Sequence, residues 1–128
     1  MKYLLDTHAF LWFILDDKRI SANAKSIIKD SKNEIFFSAA SAWEMAIKIK
    51  LNRLKIKSDL EPFIIEQLQA NNIVPLSITI SHSLYTERLP QLHKDPFDRL
   101  MIAQSIVEDL PLITKDQDIR KYNLKAVW

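Results

Sequence analysis

The stretch Tyr3–Leu15, YLLDTHAFLWFIL, decides the fold class of this chain. Its first residues form a short apolar run that stops at Asp6-Thr7 and is typical of a buried strand. The following residues, His8–Leu15, are apolar enough to predict a helix that the rest of the protein covers. A buried strand that ends at an acid and leads directly into a helix is characteristic of an α/β fold.

The same alternation continues along the chain. Further strands are predicted at 34–37, 73–76 and 111–114, and 124–127 is a candidate fifth strand. Further helices are predicted from Ser21, as N-cap, to Asp30; from 38–41 to Leu51; from Ser58, in a capping box with Glu61, to Asn71; over 77–84; and over Pro96–Glu108. Short apolar strands alternating with helices predict a three-layer α/β/α fold around a mainly parallel sheet.

Composition sets limits on function. The chain has 128 residues and a net charge of +2, which suits one domain over 1–128 and argues for no particular partner. It contains no Gly and no Cys, which excludes glycine-rich phosphate loops, thiol nucleophiles and cysteine metal sites. The N-terminal apolar run is interrupted by Asp6, and no stretch reaches the roughly 18 apolar residues of a spanning helix. We therefore expect a cytoplasmic protein with no membrane association.

Four acids follow the predicted strands in a pattern that indicates a shared site. Asp6 ends the first strand, Glu44 lies early in the helix after the second, and Asp116 follows the fourth. Asp98 lies in the first turn of the helix before the fourth strand. In a parallel sheet with right-handed crossovers, these positions meet at the carboxyl edge, where open α/β sheets bind ligands.

Grouped carboxylates repel one another, and a bound cation is the usual reason for such a group. Oxygen ligands suit Mg²⁺ or Mn²⁺, which can activate water and stabilise the leaving oxygen of a phosphodiester. Simpler roles remain open for each acid. Asp6 and Asp116 could be turn or cap residues, and Asp118 is better explained as a cap; Glu44 could close a capping box with Ser41, and Asp98 one with Asp95, which precedes Pro96 as a favourable N-cap.

Other candidates give weaker signals. His8, His82 and His93 share no metal-ligand spacing, so we expect them to be exposed or satisfied in the core. The segment 48–57 could track phosphates or form a solvated face; the basic residues proposed from it are Lys48, Lys50, Arg53 and Lys55. The aromatic side chains of the first helix are expected in the core or at a dimer face.

Four segments together resemble a known family, the PIN domain, and more narrowly the VapC-type toxins of type II toxin–antitoxin pairs. They are LLDTH at 4–8, SAWE at 41–44, DPFDRLMIAQ at 95–104 and ITKD at 113–116. They occur in the family's order and span nearly the whole chain.

The resemblance implies a Mg²⁺- or Mn²⁺-dependent endoribonuclease on a PIN fold, with a homodimeric assembly and a small antitoxin that blocks the site. It further implies that hydrolysis proceeds by attack of an activated water on the scissile phosphorus. The acids that match the family's positions are Asp6, Glu44, Asp98 and Asp116, with Asp6 and Asp98 as principal metal ligands. The residues implied to support them are Thr7 and Thr114, with Asp95 as a further candidate.

Two other functions remain to be separated from this one. A receiver-like signalling module also holds Mg²⁺ on acids at a parallel sheet edge, but such modules usually carry an acid pair directly after the first strand, where this chain has Asp6 alone. A catalytically inactive PIN scaffold that binds RNA or protein is the second alternative. All four acidic positions are filled, which argues against it.

Overall fold

A computed structural model describes all residues, 1–128, as an α/β fold around a wholly parallel five-stranded sheet. The strands are β1 (Lys2–Leu5), β2 (Glu34–Ser38), β3 (Ile73–Leu76), β4 (Leu112–Ile113) and β5 (Ala126–Val127), and they lie in the order β3-β2-β1-β4-β5. The α/β class and the parallel sheet predicted from the sequence are both confirmed.

Helices connect the strands and cover both faces of the sheet. They are α1 (Thr7–Ile14), α2 (Ala22–Lys29), α3 (Ala39–Lys50), α4 (Leu60–Ala70), α5 (Ile80–Tyr85) and α6 (Pro96–Val107). Two short 3₁₀ turns, Thr86–Arg88 and Ile119–Lys121, precede α6 and follow β4. None of these helices combines the length and apolarity that crossing a bilayer would require.

The central strand supplies two separate cores because successive side chains point to opposite faces. Leu5 packs with Phe10, Phe37 and Met45 on the face covered by α1, α2 and α4. Leu4, on the opposite face, packs with residues of α6 such as Met101. Burial on both faces explains why the strands are continuous apolar runs rather than alternating ones.

The strand order places a switch point between β1 and β4. The chain moves outward from β1 through β2 to β3, and then returns to the other side of β1 to form β4 and β5. Connections on the two sides of such a point leave from opposite faces, which opens a crevice beyond the carboxyl ends of the two strands. Asp6 and Asp116 follow these two strands.

Helix caps agree with the sequence at α2 and differ from it at α4. Ser21 caps α2 as predicted, accepting from the amide of Ala24 at 2.9 Å. The capping box assigned to Ser58 and Glu61 is wrong, because α4 begins one residue later with Asp59 as N-cap and no side-chain hydrogen bond. A capping box does form at α5, between Thr79 and His82, where a histidine takes the role usually held by Glu or Gln.

Four helices end in a left-handed residue that is not glycine. Asp16, Asn52, Asn72 and Asp109 follow α1, α3, α4 and α6 with φ of 51°, 58°, 53° and 53°. Glycine normally serves this position, and Asn and Asp tolerate it better than other residues. In this chain, which has no glycine, Asn or Asp therefore takes the left-handed position after these four helices.

Candidate active site at the carboxyl edge of the sheet

Asp6 is a buried carboxylate fixed at both oxygens. Its Oδ1 accepts from the amide of Ala9 at 2.7 Å and caps α1, while its Oδ2 accepts from the hydroxyl of Thr114. The side chain is almost completely buried. Burial raises the pKa of Asp6 above its ordinary value, although these two hydrogen bonds act in the opposite direction.

Thr114 links Asp6 to Asp116 across the switch point. Its hydroxyl donates to Asp6 and accepts from the amide of Asp116 at 3.0 Å. The Oδ1 of Asp116 accepts from the amides of Asp118 and Ile119 at 2.8 and 3.3 Å, which leaves Oδ2 to face the crevice. Asp116 is therefore both a turn residue and a member of the site.

His93 lies between two of the acids. Its Nε2 is 3.0 Å from Oδ2 of Asp98 and 3.1 Å from Oδ2 of Asp116, and these ligand-type atoms all lie within 4.8 Å of one another. Its Nδ1 accepts from the amide of Asp95 at 3.1 Å. Because Nδ1 is an acceptor, the proton of the neutral ring is on Nε2 and is directed at the two carboxylates.

The carboxyl group of Asp98 has a strongly raised pKa. Burial first, and then the negative charge of Asp95, raise its pKa to about 7, and Glu44 and Asp6 add to this effect. At Asp116, burial acts to raise the pKa, but the hydrogen bonds from His93 and from two backbone amides lower it below its usual value. At Asp98, the effects of burial and of neighbouring negative charge on the pKa therefore outweigh the opposing effect of His93.

Glu44 enters the site from α3 and is almost completely buried. Its Oε1 accepts from the hydroxyl of Thr7 at 2.7 Å, and its Oε2 pairs with the ammonium group of Lys48 at 3.0 Å. Thr7 Oγ1 also lies 2.9 Å from Oγ of Ser41, one turn before Glu44 on the same helix. The start of α1 therefore orients a carboxylate that belongs to α3.

The segment that carries His93 is clamped by Arg99 and Tyr122. The Arg99 guanidinium donates to backbone carbonyls of that segment, including those of Thr86 at 2.8 Å and Pro90 at 3.1 Å. The Tyr122 hydroxyl accepts from the amide of His93 at 2.8 Å and donates to the carbonyl of Pro90 at 2.8 Å. Arg99 has only carbonyl and hydroxyl partners here, so its role is to hold the backbone.

Comparison with known proteins agrees with this geometry. Residues 3–125 match the model of the PIN domain. The chain belongs to the PIN domain family. Among curated relatives, it is 28% identical over 120 residues to Ribonuclease VapC22 of Mycobacterium tuberculosis, covering 93% of this chain and 90% of that protein. It is 31% identical over 71 residues to Ribonuclease VapC16 of the same organism, covering 52% of this chain and 50% of that protein.

Solved structures support the PIN fold. The VapBC2 structure from Rickettsia felis, bound to a DNA fragment from its promoter, superposes with a TM-score of 0.74 at 18% identity, over 99% of this chain and 98% of that one. The FitAcB structure from Neisseria gonorrhoeae superposes with a TM-score of 0.60 at 15% identity, over 100% and 97%. At these identities the likeness concerns the fold.

Two capping boxes that the sequence offered as simpler roles for acids of this PIN-domain site are wrong. Ser41 lies inside α3, whose N-cap is Ser38, so Ser41 and Glu44 form no capping box. Asp98 closes no box with Asp95, because the Asp95 amide donates to His93 instead. Asp95 is the N-cap of α6, accepting from the amides of residues 97 and 98. It influences the PIN site through its charge on Asp98.

The expectation that His93 is merely exposed or satisfied in the core is also wrong. It joins Asp98 and Asp116 in the tightest cluster of ligand-type atoms in the PIN domain. Metal-ligand spacing in sequence cannot find it, because its partners are a helix residue and a distant loop residue. The available signal was its place two residues before a strong N-cap, in the segment that leads to the acidic edge.

The proposed basic residues divide into two groups. Lys48 faces the site and pairs with Glu44, so it is not part of a free basic surface. Lys50, Arg53 and Lys55 are exposed, at the end of α3 and in the loop that follows. His82 is a buried residue of α5, with its Nε2 3.0 Å from Glu108 Oε2, as expected for a histidine satisfied within the fold.

The donor set of the PIN site fits a hard divalent cation. Asp98 and Asp116 turn oxygens to a common point, now bridged by the Nε2 proton of His93. Burial and the negative charges of three carboxyl groups, those of Asp95, Glu44 and Asp6, raise the pKa of Asp98. Carboxylate oxygens are the ligands that Mg²⁺ and Mn²⁺ prefer, and a cation would offset this accumulated charge.

Proposed function

We propose that this PIN domain is a Mg²⁺- or Mn²⁺-dependent endoribonuclease and the toxin of a type II toxin–antitoxin pair that acts on cytoplasmic RNA. One observation carries the proposal: acids that follow β1 and β4 and acids on α3 and α6 converge at the switch point. Burial there, together with the charges of Asp95, Glu44 and Asp6, raises the pKa of Asp98 to about 7. The family match and the two relatives named as ribonucleases support the choice of RNA.

The family resemblance implies Asp6 and Asp98 as principal ligands, with Glu44 and Asp116 completing the site. Because both oxygens of Asp6 already accept hydrogen bonds while Asp98 and Asp116 turn oxygens to a common point, we propose that Asp98 and Asp116 would contact the cation directly and that Asp6 and Glu44 would complete the site. A divalent cation there supplies positive charge that activates water and stabilises the anionic oxygens of a phosphodiester. Thr114 and Thr7 hold Asp6 and Glu44 in fixed orientations through their hydroxyls. Hydrogen bonds of this kind keep metal-binding carboxylates in the orientation that coordination requires.

The receiver-like alternative lacks its key group. A receiver needs an accessible carboxylate to accept a phosphoryl group after its first strand. Both oxygens of Asp6 already accept hydrogen bonds, and the side chain is only 6% exposed. An inactive PIN scaffold is separated from the proposed enzyme by the cleavage experiment below.

The decisive experiment is cleavage of total RNA by the purified chain, with Mg²⁺ and with chelator. We expect cleavage with Mg²⁺ only, and its loss in Asp98→Asn. Asp118→Asn is the matched control, because Asp118 is an exposed acid of the same edge whose partner is Lys121. Activity that survives in chelator, or in Asp98→Asn, contradicts the proposed metal site; intact RNA with every chain favours the inactive scaffold.

The toxin role has its own test in growing cells. Expression of the chain alone should slow growth, and Asp6→Asn or Asp98→Asn should relieve the effect at equal protein level. Each amide replaces one anionic oxygen by a neutral group. Toxicity that persists in both variants removes the assignment of these acids.

We also propose a small antitoxin that inserts a basic side chain among the acids. An Arg fork matches paired carboxylates and can offset their charge in place of a cation. The solved structures that share this fold, VapBC2 and FitAcB, support an antitoxin as the partner. A purified complex should cleave RNA much more slowly than the free chain, and equal rates would contradict the proposal.

Homodimerisation and RNA contacts outside the acidic site complete the proposal. Ile80 and Leu84 of α5 are 79% and 68% exposed, which suits an apolar contact between two copies. Ile80→Asp should then convert a dimer into a monomer in light scattering.

Lys50, Arg53 and Lys55 are proposed to contact RNA phosphates, and their joint replacement by Gln should weaken RNA binding and its salt dependence.

A further inference from the structure

An aromatic pair stands beside the acidic site on the first helix. The rings of His8 and Trp12 are stacked, with centroids 5.5 Å apart and an interplanar angle of 28°. His8 is exposed, and it directly follows Thr7, the residue that orients Glu44. A stacked pair at this place presents a flat apolar surface within reach of the residues proposed for catalysis.

Contacts from other parts of the chain fix the pair. The ring of Trp128 meets Trp12 edge-on at a centroid distance of 5.7 Å. The guanidinium of Arg19 lies 5.0 Å from the Trp12 ring centre and is itself held by Asp17 in a two-point ion pair. Trp12 is thereby immobilised, so that His8 can stack on a rigid support.

A cavity of about 300 Å³ lies where this pair meets the acids. Its lining residues are Asp6, His8, Trp12, Lys115 and Asp116. The Lys115 ammonium lies 6.0 Å from the Trp12 ring centre and is exposed. The volume is at the lower end of the roughly 300–1,000 Å³ typical of small-ligand sites.

The wall chemistry indicates what could occupy this cavity. Aromatic side chains stack unpaired nucleobases, and a lysine ammonium pairs with a phosphate as a point charge. Asp6 and Asp116 also line the cavity and would repel a bare anion, so an anionic ligand also needs the planar contact and the lysine. A nucleotide combines a flat base with one phosphate and meets both requirements.

We propose that this cavity, which we call the stacking subsite, binds the unpaired nucleotide next to the scissile phosphate, with its base against His8 and Trp12 and its phosphate at Lys115. The proposal rests on the RNA cleavage proposed above and adds a requirement for the substrate. A base within a duplex is already stacked and paired, so the subsite selects single-stranded RNA at this position. Stacking tolerates any base, so the subsite distinguishes single-stranded from duplex RNA and does not select a sequence.

Binding is tested without cleavage, in chelator, by fluorescence anisotropy of a short labelled single-stranded RNA of mixed sequence. We expect His8→Ala to weaken binding by roughly 5- to 100-fold, the range for loss of one stacked base. His8→Phe should restore the affinity, whereas His8→Lys, which keeps a cation but no ring, should not. Since His8 is exposed, none of these changes should alter the melting temperature substantially.

The lysine is tested by the salt dependence of the same binding. Lys115→Gln should reduce the slope of log affinity against log salt by about 0.7, the contribution of one phosphate contact on a single strand. Lys125→Gln is the matched control, because Lys125 is exposed and precedes β5, at the opposite end of the strands from the acids. A duplex of the same sequence should bind more weakly than the single strand, and its affinity should be the same for His8→Ala as for the original chain.

Each outcome has a defined meaning. Unchanged affinity in His8→Ala, or the same loss for the duplex, overturns the stacking subsite; if the original chain still cleaves RNA with Mg²⁺, the proposed function stands. Reduced affinity in His8→Ala with no cleavage by the original chain supports the subsite and contradicts the enzyme. Failure of the original chain to bind or cleave RNA overturns both.

Discussion

The imidazole Nε2 of His93 lies 3.0 Å from the Oδ2 atom of Asp98. The ring donates this contact because its other nitrogen accepts from the backbone. A protonated Nε2 has no free lone pair to offer a metal ion, so the ring in this position competes with a cation for the same carboxylate oxygens. His93 thus relieves the repulsion within the site when no cation is bound.

Replacing His93 by Ala should therefore make the metal-free chain less stable and increase the stabilisation by Mg²⁺. Hydrogen bonds to charged groups contribute roughly 1.5–3 kcal/mol each, so the loss in chelator should be of this order. Melts in chelator and in millimolar Mg²⁺ measure both effects, with Lys94→Ala as a control from the same segment. A smaller Mg²⁺ shift in His93→Ala would identify His93 as a ligand rather than a competitor.

The raised pKa of Asp98 predicts a pH dependence of stability in chelator. Its folded-state pKa is about 7 against an ordinary value of 3.8, so between these values the folded chain binds a proton that the unfolded chain has released. The free energy of unfolding should then fall as pH rises from about 4 to about 7. Each pKa unit corresponds to about 1.4 kcal/mol, which sets an upper limit of roughly 4 kcal/mol for the contribution of Asp98.

Asp98→Asn cannot ionise and should flatten that pH dependence. At pH 7.5 in chelator the variant should melt above the original chain, and it should lose most of the stabilisation that Mg²⁺ gives by binding only the folded state. Melts from pH 5 to pH 8 provide the measurement. Equal slopes in the two chains would show that Asp98 is not the group that carries the repulsion.

Thr7 should matter for activity through Glu44. Thr7→Val removes the hydroxyl that donates to Glu44 Oε1 while keeping a similar volume in a buried position. We expect a loss of about 10- to 100-fold in metal affinity or cleavage rate, as for other partners of metal ligands. Thr7→Ser keeps the hydroxyl and should retain most of the activity. If both variants behave alike, the hydroxyl has no role in orienting Glu44.

Tyr122→Phe should loosen the segment that carries His93. The change leaves the amide of His93 without its acceptor and the carbonyl of Pro90 without one of its donors. An unsatisfied buried polar group costs about 1–3 kcal/mol, which a chemical unfolding curve can resolve. Amide hydrogen exchange should increase across 86–93 and not at β1. Unchanged exchange would show that Arg99 alone holds this segment.

The sequence predicted the sheet well because its central strands, β1 and β4, are buried on both faces. Leu4 and Leu5 are completely buried, so their apolar side chains clearly indicate an internal strand. Asp6, which follows them, marks the edge of the sheet. The end of α4 was also evident, but its start was not. Ser58 has the right type and spacing for a cap, yet the backbone enters the helix one residue later, so the pattern alone could not place it.

At the site, the acids were predictable and the groups between them were not. Asp6 and Asp116 follow strands whose ends a parallel sheet must bring together. His93 reaches Asp98 and Asp116 only because Arg99 and Tyr122 fold the segment before α6 over the crevice. That path depends on backbone carbonyls as acceptors, which side-chain patterns in a sequence do not reveal.

The left-handed residues at the helix ends have a consequence for the unfolded chain. With no glycine anywhere, every residue carries a Cβ, so the unfolded backbone has fewer conformations to lose on folding. This gain is partly offset at four positions where a residue with a Cβ adopts an unfavourable positive φ: Asp16, Asn52, Asn72 and Asp109. These four positions lie outside the acidic site, so selection can adjust the thermal tolerance of the protein there while its chemistry stays the same.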